Sequence, residues 1–466
     1  MAASASISKS IYFGTYVHSK SLTELEIRPD GVIGVDEKGV IQFLETNVKD
    51  VESLKSRREE WKDAKVVKIK GEGFFFPGFI DTHTHAPQHP NTGLFGKTTL
   101  LDWLQTYTFP MESSLGSLSK AQRVYSNFVS RTLSHGTTAC AYYATIHVLS
   151  TNLLADICLK RGQRALVGRV CMNSNLSPEY YRDMSIESSI ADSRASIDYI
   201  RSIDPSGEIV LPIITPRFAP SCTAHCLTAL GDLATETGAH IQTHISENTS
   251  ECELVKKLFP DSKSYTDVYE THHLLRPKTI LAHAVHLSAE ERALIKAREA
   301  KISHCPASNT ALTSGCCPVR TLLDEGITVG LGTDVSGGFS PSILEEVRQA
   351  IWVSRFRAMN HGDVHKLSTS EALYLATRGG AAVIGMEDKV GGFEIGKEFD
   401  AQMISLGTVA EEGNMEGKFT EGSIDLFGFE KWAEKVEKWV YGGDDRNTVA
   451  VWVRGRLVHS TSKFEG

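Results

Sequence analysis

Residues 77–85 read PGFIDTHTH, a short apolar run that ends in residues able to bind a metal. The aromatic and branched residues before this end predict a buried strand over 74–81. Side chains alternate along a strand, so His83 and His85 project to one face and could share an ion. An HxH pair alone is a weak signal, because it is often only a polar strand face.

The same rhythm, a short apolar strand and then a helical segment, recurs through the middle of the chain. Seven more strands are predicted at 136–143, 164–172, 209–218, 239–244, 279–283, 301–304 and 327–334. Amphipathic helices are predicted at 119–134, 186–203, 223–237 and 288–299. Eight strands over about 260 residues match an α/β fold of the parallel (β/α)₈ TIM-barrel type. A doubly wound sheet is the alternative.

The two ends of the chain have a different character. Residues 8–70 contain short β-like runs separated by DG and KG turns, and the chain returns to this style from 390 onward. We therefore expect a small β-sandwich domain from 1–73 plus 390–466, beside a barrel over 74–389. The acidic segment 408–432 suggests only a surface excursion.

Composition excludes several classes of function. The 466 residues carry 49 Lys and Arg against 57 Asp and Glu, a net charge of −8, which disfavours nucleic acid as a partner. No run is long and apolar enough to predict a membrane span. The 9 cysteines have no framework spacing, which predicts reduced thiols. The N-terminal MAASASISKS lacks an apolar signal core, so we expect a cytoplasmic protein.

Polar residues gather at the predicted strand ends, which converge on the C-terminal face of a barrel. His244 ends the fifth strand, His283 the sixth and Asp334 the eighth. A zinc ion held by a shared site would leave room for a reactive water. That site consists of His83, His85, His244 and Asp334. Glu247 could carry protons beside it, although each residue alone has an ordinary structural interpretation.

Five motifs, in order, are typical of one superfamily. PGFIDTHTH, THISEN, LAHAVHLS, SHCPASN and GLGTDVSGG together resemble the amidohydrolase superfamily. The resemblance implies a barrel with its metal at the C-terminal mouth. Binuclear members usually carry a lysine after the fourth strand, where this chain reads TPRFAPSC. One Zn²⁺ per subunit is therefore implied. The ligands would be those four residues, with Glu247 as proton shuttle, His283 orienting the water and Asp334 also accepting a proton.

Four stretches narrow the resemblance to one branch. HAPQHP, LLDWLQTYTFPMES, TPRFAPSC and HISEN resemble the guanine deaminases. This implies hydrolysis of guanine to xanthine and ammonia in a homodimer. Gln88 and Arg217 would contact the purine, and Trp103 and Phe218 would form the pocket wall. Arginine suits this role, because its planar donors match the adjacent O6 and N7 acceptors of guanine. His85, His244, Glu247 and Asp334 would also lie against the substrate.

Other activities are less well matched. A cytidine-deaminase site needs HxE and PCxxC, whereas HISE places its glutamate three residues after the histidine. Another aminated or chlorinated heterocycle is the nearest alternative substrate, and a silent scaffold is the alternative from a different class. The loops 86–100 and 336–342 are candidates to close over the pocket.

Overall fold

The computed structural model of the chain describes residues 7–409 and 422–465. Residues 410–421 of the predicted 408–432 excursion, and the first six residues of the N-terminal stretch, lie outside the described residues. The strands are β1 Ser10–Ser19, β2 Leu25–Val35, β3 Ile41–Glu45, β4 Lys65–Lys68, β5 Glu72–Pro77, β6 Phe79–His85, β7 Thr137–Tyr143, β8 Arg164–Gly168, β9 Val170–Cys171, β10 Val210–Pro216, β11 His240–Ile245, β12 Thr279–His283, β13 Lys301–His304, β14 Val329–Leu331, β15 Ala401–Gly407, β16 Thr448–Val453 and β17 Arg456–Ser460.

Helices alternate with the central strands. They are α1 Val51–Arg57, α2 Leu100–Trp103, α3 Phe109–Ser114, α4 Leu118–Ser134, α5 Val148–Arg161, α6 Ile186–Ile203, α7 Ala224–Thr237, α8 Thr249–Leu258, α9 Tyr265–Thr271, α10 Ala289–Ala297, α11 Pro306–Ala311, α12 Val319–Asp324, α13 Ile343–His361, α14 Thr369–Tyr374, α15 Gly380–Val383 and α16 Trp432–Gly442. None of the helices in the described ranges is long and apolar enough to cross a bilayer.

The central strands form a parallel sheet that curves into a nearly closed barrel. Its order is β6-β7-β8-β10-β11-β12-β13-β14, with β9 paired to β10. The first and last strands meet where Thr82 Oγ1 donates to the Leu331 carbonyl at 2.8 Å and the Asp334 N–H donates to the His83 carbonyl at 2.8 Å. Helices cover the outside, so the predicted (β/α)₈ fold class is confirmed.

The closing seam needs a glycine. A Cβ on Gly332 would lie 2.8 Å from the His83 Cβ and 2.6 Å from the Ser303 Oγ, closer than real atoms approach. Glycine therefore lets the chain after β14 lie directly against β6. This approach brings Asp334 next to His83.

The first predicted strand is wrong in its extent. Residues 74–81 do not form one strand: β5 ends at Pro77 and β6 begins at Phe79. β5 pairs with β1 and β15 in the small sheet, whereas β6 pairs with β7 in the barrel. Both strands are buried and apolar, so periodicity could not separate them. The division into 1–73 plus 390–466 and 74–389 stays a prediction, and β5 argues for a first boundary near Gly78.

Strands from both chain ends build the second unit. It is one mixed sheet of order β17-β16-β15-β5-β1-β2-β3, with β4 paired to β1. Its core is aromatic: the Tyr12 ring stacks on Phe399 at 4.1 Å and meets Trp452 edge-on at 5.3 Å. The predicted β unit made from both termini is therefore present beside the barrel.

Candidate active site

Four predicted metal ligands meet at the C-terminal mouth of the barrel. One ligand atom from each lies within 4.8 Å of the others. His83 Nε2 is 3.1 Å from Asp334 Oδ1, and His85 Nε2 is 3.2 Å from His244 Nε2. The two histidines of β6 share a face, as their spacing predicts. His244 comes from β11, and Asp334 from the chain just after β14.

The hydrogen bonds leave lone pairs pointing at one centre. His244 Nδ1 lies 2.5 Å from the Arg217 carbonyl oxygen, which only accepts, so this nitrogen carries the proton. The neutral His244 ring then has a lone pair on Nε2, facing His85 Nε2. Two nitrogens this close need a proton or a cation between them. The residues therefore fit a divalent ion with imidazole and carboxylate ligands.

Burial sets the charge state that metal binding needs. It lowers the pKa of His85 to about 4, even though Asp334 opposes the shift. Burial and the neighbouring histidines hold the pKa of His244 well below its usual value. For Asp334, burial raises the pKa, but the hydrogen bond and charge of His83 outweigh it and the net shift is strongly downward. Neutral imidazoles and an ionised carboxylate are the forms that bind metals.

Asp81, which ends the same predicted strand, is not part of this cluster. Its carboxylate accepts from the Thr333 N–H at 3.0 Å and the Thr333 hydroxyl at 2.5 Å. It also accepts from the His83 N–H at 3.2 Å. Asp81 thus ties the chain before Asp334 to the strand that carries two of the ligands.

Glu247 and His283 lie together beside the ligands. His283 Nε2 is 3.4 Å from Glu247 Oε2 and 3.8 Å from Asp334 Oδ2. On its other side, His283 Nδ1 is 2.9 Å from Asn309 Oδ1, which orients the ring. Ser314 Oγ donates to Glu247 Oε1 at 3.0 Å. Burial, with the charge of Asp334, raises the pKa of Glu247 to about 8. A carboxyl with such a pKa can both take and release a proton near neutral pH.

A pocket of about 370 Å³ opens in front of these groups. Every residue predicted to contact substrate lines it, and so does His283. The substrate set is His85, Gln88, Trp103, Arg217, Phe218, His244, Glu247 and Asp334. The rest of the wall is formed by Leu100, Leu104 and Leu312. A cavity lined by apolar side chains and a few polar groups is typical of a small-molecule site.

Sequence reasoning missed Glu112, a fully buried residue of α3. Arg217 Nη1 donates to Glu112 Oε2 at 2.7 Å, and Arg217 Nη2 to Oε1 at 3.1 Å. Gln88 Nε2 donates to Glu112 Oε1 at 2.7 Å. The Tyr181 hydroxyl donates to Oε2 at 2.7 Å. The signal available was an acidic residue in the otherwise weakly charged stretch TFPMESS, but nothing in the sequence pairs it with Arg217.

The two candidate loops contact each other through Gln88 and Ser336. Residues 86–91 form a 3₁₀ turn from which Gln88 enters the pocket. Its Oε1 accepts from the N–H of Ser336, which belongs to the second loop, at 3.2 Å. Helices α2 and α3 follow the first loop and are joined by a π-helical turn over Leu104–Thr108. Gln88 is thus the direct link between the two loops.

The chain is similar to known proteins over nearly its whole length. Residues 74–458 match the Amidohydrolase family. A probable guanine deaminase of Schizosaccharomyces pombe is 50% identical, over 96% of this chain and 83% of that protein. The guanine deaminase of Homo sapiens is 39% identical over 96% of each chain. The crystal structure of guanine deaminase from C. acetobutylicum with bound guanine superposes with a TM-score of 0.85 at 34% identity, covering 97% of this chain and 100% of that one.

Proposed function

Because the chain belongs to the amidohydrolase family, we propose that it is a guanine deaminase, which hydrolyses guanine to xanthine and ammonia. The observation that carries the proposal is the coincidence of two sets of residues in one pocket. A three-histidine, one-aspartate cluster lies at the back, and Arg217 and Gln88 lie where they can hold a purine in front of it. The relatives at 39–50% identity support guanine over another aminated heterocycle.

One zinc ion per subunit completes the site. His83, His85, His244 and Asp334 would hold it, and the chain supplies this single compact cluster among its described residues. When bound, zinc supplies the Lewis acidity that makes water a nucleophile near neutral pH. The chain's own groups do the rest of the work, which is to position the base and to move protons.

Glu247 is placed to move those protons. Water adds to C2 of guanine, and the Glu247 carboxylate takes a proton from that water. Glu247 passes this first proton to N3 of the ring. The second proton of the attacking water then moves by way of Asp334 and Glu247 to the departing amine, so that the C2–N bond breaks, ammonia leaves and a carbonyl remains at C2. His283, held by Asn309 at 2.9 Å, keeps the attacking water directed at C2, and Asp334 also accepts a proton from it.

The base is recognised by residues on the side of the pocket away from the metal-binding residues. Arg217 and Gln88 present N–H donors to acceptors on the purine edge, and Trp103 and Phe218 pack against its faces. His85, His244, Glu247 and Asp334 lie close enough to contact the reacting end. Holding the base in one orientation converts binding energy into rate, because the reacting atoms start close together.

Ammonia release from purified, metal-quantified protein tests this proposal. Guanine, adenine, cytosine and a chlorinated triazine are supplied separately, with and without a chelator. We expect turnover confined largely to guanine, lost on chelation and restored by zinc. Zinc-bound protein that releases no ammonia from guanine would contradict the substrate, and metal-free protein with full turnover would contradict the metal.

The finer predictions on assembly and compartment also belong to the proposal. A homodimer is supported by three apolar side chains exposed on one face of α13: Trp352 at 47%, Phe356 at 48% and Met359 at 76%. Light scattering in solution gives the subunit number directly. A cytoplasmic location is supported by the cysteines, all of which lie in the described residues as free thiols.

A further inference from the structure

Glu112 is a buried carboxylate on which four donors converge. They come from both nitrogens of the Arg217 guanidinium fork, from the Gln88 amide and from the Tyr181 hydroxyl, at 2.7 to 3.1 Å. The Glu112 side chain is fully buried and does not line the substrate pocket. Its hydrogen bonds therefore act on the ligand through Arg217 and Gln88, the two residues proposed to hold the base. The pocket residue His85 places its Nδ1 at 4.0 Å from Glu112 Oε1, beyond hydrogen-bond distance.

The first consequence is the orientation of Gln88. A carboxylate oxygen only accepts, so the Gln88 amide nitrogen must face Glu112, and the amide oxygen must face the Ser336 N–H. One N–H of Gln88 is then left for the pocket. Gln88 is fixed as a hydrogen-bond donor to the ligand, whereas a free glutamine could rotate and offer either group.

The second consequence concerns charge. An unpaired guanidinium in a buried pocket would attract an anion, because the surroundings screen its charge poorly. Glu112 balances that charge with a bidentate pair, and it is the carboxylate that pairs with Arg217 among the described residues. The ring of Phe109, 5.2 Å from the guanidinium carbon, and the Met172 sulfur, 3.9 Å from Nη1, add no charge.

We infer that Glu112 is a positioning residue that sets specificity: it fixes Gln88 and Arg217 as donors and cancels the arginine charge, so that the pocket selects an uncharged purine. This inference rests on the proposed function for the identity of the ligand. It assigns the discrimination between neutral and anionic bases to a residue that does not touch the base.

Glu112→Gln in the zinc-loaded enzyme tests the inference, because the glutamine keeps the shape and removes the charge. We expect KM for guanine to rise by at least about tenfold with a smaller change in kcat, since the lost bonds hold the base rather than move protons. The inhibition constant of purine-6-carboxylate should fall by about tenfold, because Arg217 is then free to pair with an anion. Loss of packing alone would weaken the binding of both guanine and purine-6-carboxylate.

Two variants serve as controls. Tyr181→Phe removes one neutral donor to Glu112 and leaves the charge. The ratio of KM for guanine to the inhibition constant of purine-6-carboxylate should therefore stay within about threefold of wild type. Glu112→Asp keeps the charge but withdraws the carboxylate, so KM for guanine should rise while purine-6-carboxylate binds no better. Glu112→Asp also carries the test if the glutamine variant does not fold.

The outcomes separate this inference from the proposed function. Opposite shifts for the two ligands in Glu112→Gln support it, and parallel weakening or no change overturns it. Unchanged KM for guanine in Glu112→Asp also overturns it. Wild-type protein that fails to deaminate guanine would remove the proposed function, whereas tighter binding of the anionic purine to Glu112→Gln would still assign the charge-cancelling role to Glu112.

Discussion

Two buried arginines lie at opposite ends of neighbouring barrel strands. Arg164 is the first residue of β8, and Arg217 follows the last residue of β10, the strand that pairs with β8. Arg164 donates to Asp400 Oδ2 at 2.7 Å, to Asp400 Oδ1 at 2.9 Å and to the Glu208 carbonyl at 2.8 Å. These bonds fix the barrel to the chain that enters the small sheet.

Arg217 forms the same bidentate pair with Glu112, yet it also lines a cavity. The pair chemistry is alike, so the difference comes from position. At the N-terminal end of the strands, all three guanidinium nitrogens of Arg164 donate to protein partners. At the C-terminal end, donors remain for a ligand. Changes at the mouth should therefore cost mainly activity, and changes at the junction with the small sheet should cost mainly stability.

The largest effect at the mouth is expected from Glu247→Gln. The glutamine fills the same space but cannot carry a proton, so kcat should fall by about 10³-fold. Zinc content and Tm should stay close to wild type, since no ligand is altered. Normal turnover by zinc-loaded Glu247→Gln would remove Glu247 from its role.

The mouth was more predictable from sequence than its supporting residues. His83, His85, His244 and Asp334 all stand at strand ends, and a parallel barrel brings such ends together without further information. Glu112 lies on a short helix between strands, where no periodicity relates it to Arg217, 105 residues away. Its role depends on a tertiary contact, and single-sequence patterns do not encode such contacts.

Prediction from sequence has the same limit at the junction between the barrel and the small sheet. Arg164 is a charged residue at the start of an apolar strand. The sequence does not predict its partner, because Asp400 lies 236 residues later. The split between β5 and β6 was missed for a related reason. Both strands are apolar and nearly continuous, and only their hydrogen-bond partners show that they belong to different sheets.

At the junction, Arg164→Met should reduce the free energy of unfolding by about 3 kcal/mol, because it leaves Asp400 buried without its cation. Chemical denaturation measures this loss. The kcat/KM of the folded fraction should change by less than about twofold, since Arg164 does not line the pocket. In the matched double variant, Asp400→Asn removes the stranded charge and should recover part of the stability. A large loss of activity at full stability would contradict the purely structural role of Arg164.

Arg217→Ala should act mainly on activity, although it also leaves the buried Glu112 carboxylate without its cation and should lower the free energy of unfolding. We expect kcat/KM for guanine to fall by about 100-fold, because the variant loses charge-assisted donors to the base. Zinc content should be retained, since the metal ligands keep their own contacts. An unchanged kcat/KM would refute the recognition role of Arg217. A loss of metal would show instead that the arginine side chain is needed to hold its own backbone carbonyl against His244 Nδ1.

The smallest effect is expected at Glu346, a buried carboxyl that has no cation partner among the described residues. It accepts the Ala307 N–H at 3.1 Å, and its Oε1 has no partner. Burial, with the charges of Glu345 and Asp81, raises its pKa well above the ordinary 4.5. The folded protein therefore holds a proton that the unfolded chain releases, so this group's contribution to stability falls as pH rises above 4.5.

Glu346→Gln should remove that pH dependence. Near pH 4 the variant and the wild type should be about equally stable, because the carboxyl is protonated in both states. At pH 8 the variant should be more stable by about 1 kcal/mol, as measured by urea unfolding of the zinc-loaded protein. By contrast, Asp400→Asn breaks the buried ion pair with Arg164 and should destabilise the protein. A wild type more stable than Glu346→Gln at pH 8 would mean that Glu346 is ionised in the folded protein, and it would contradict the upward shift of its pKa.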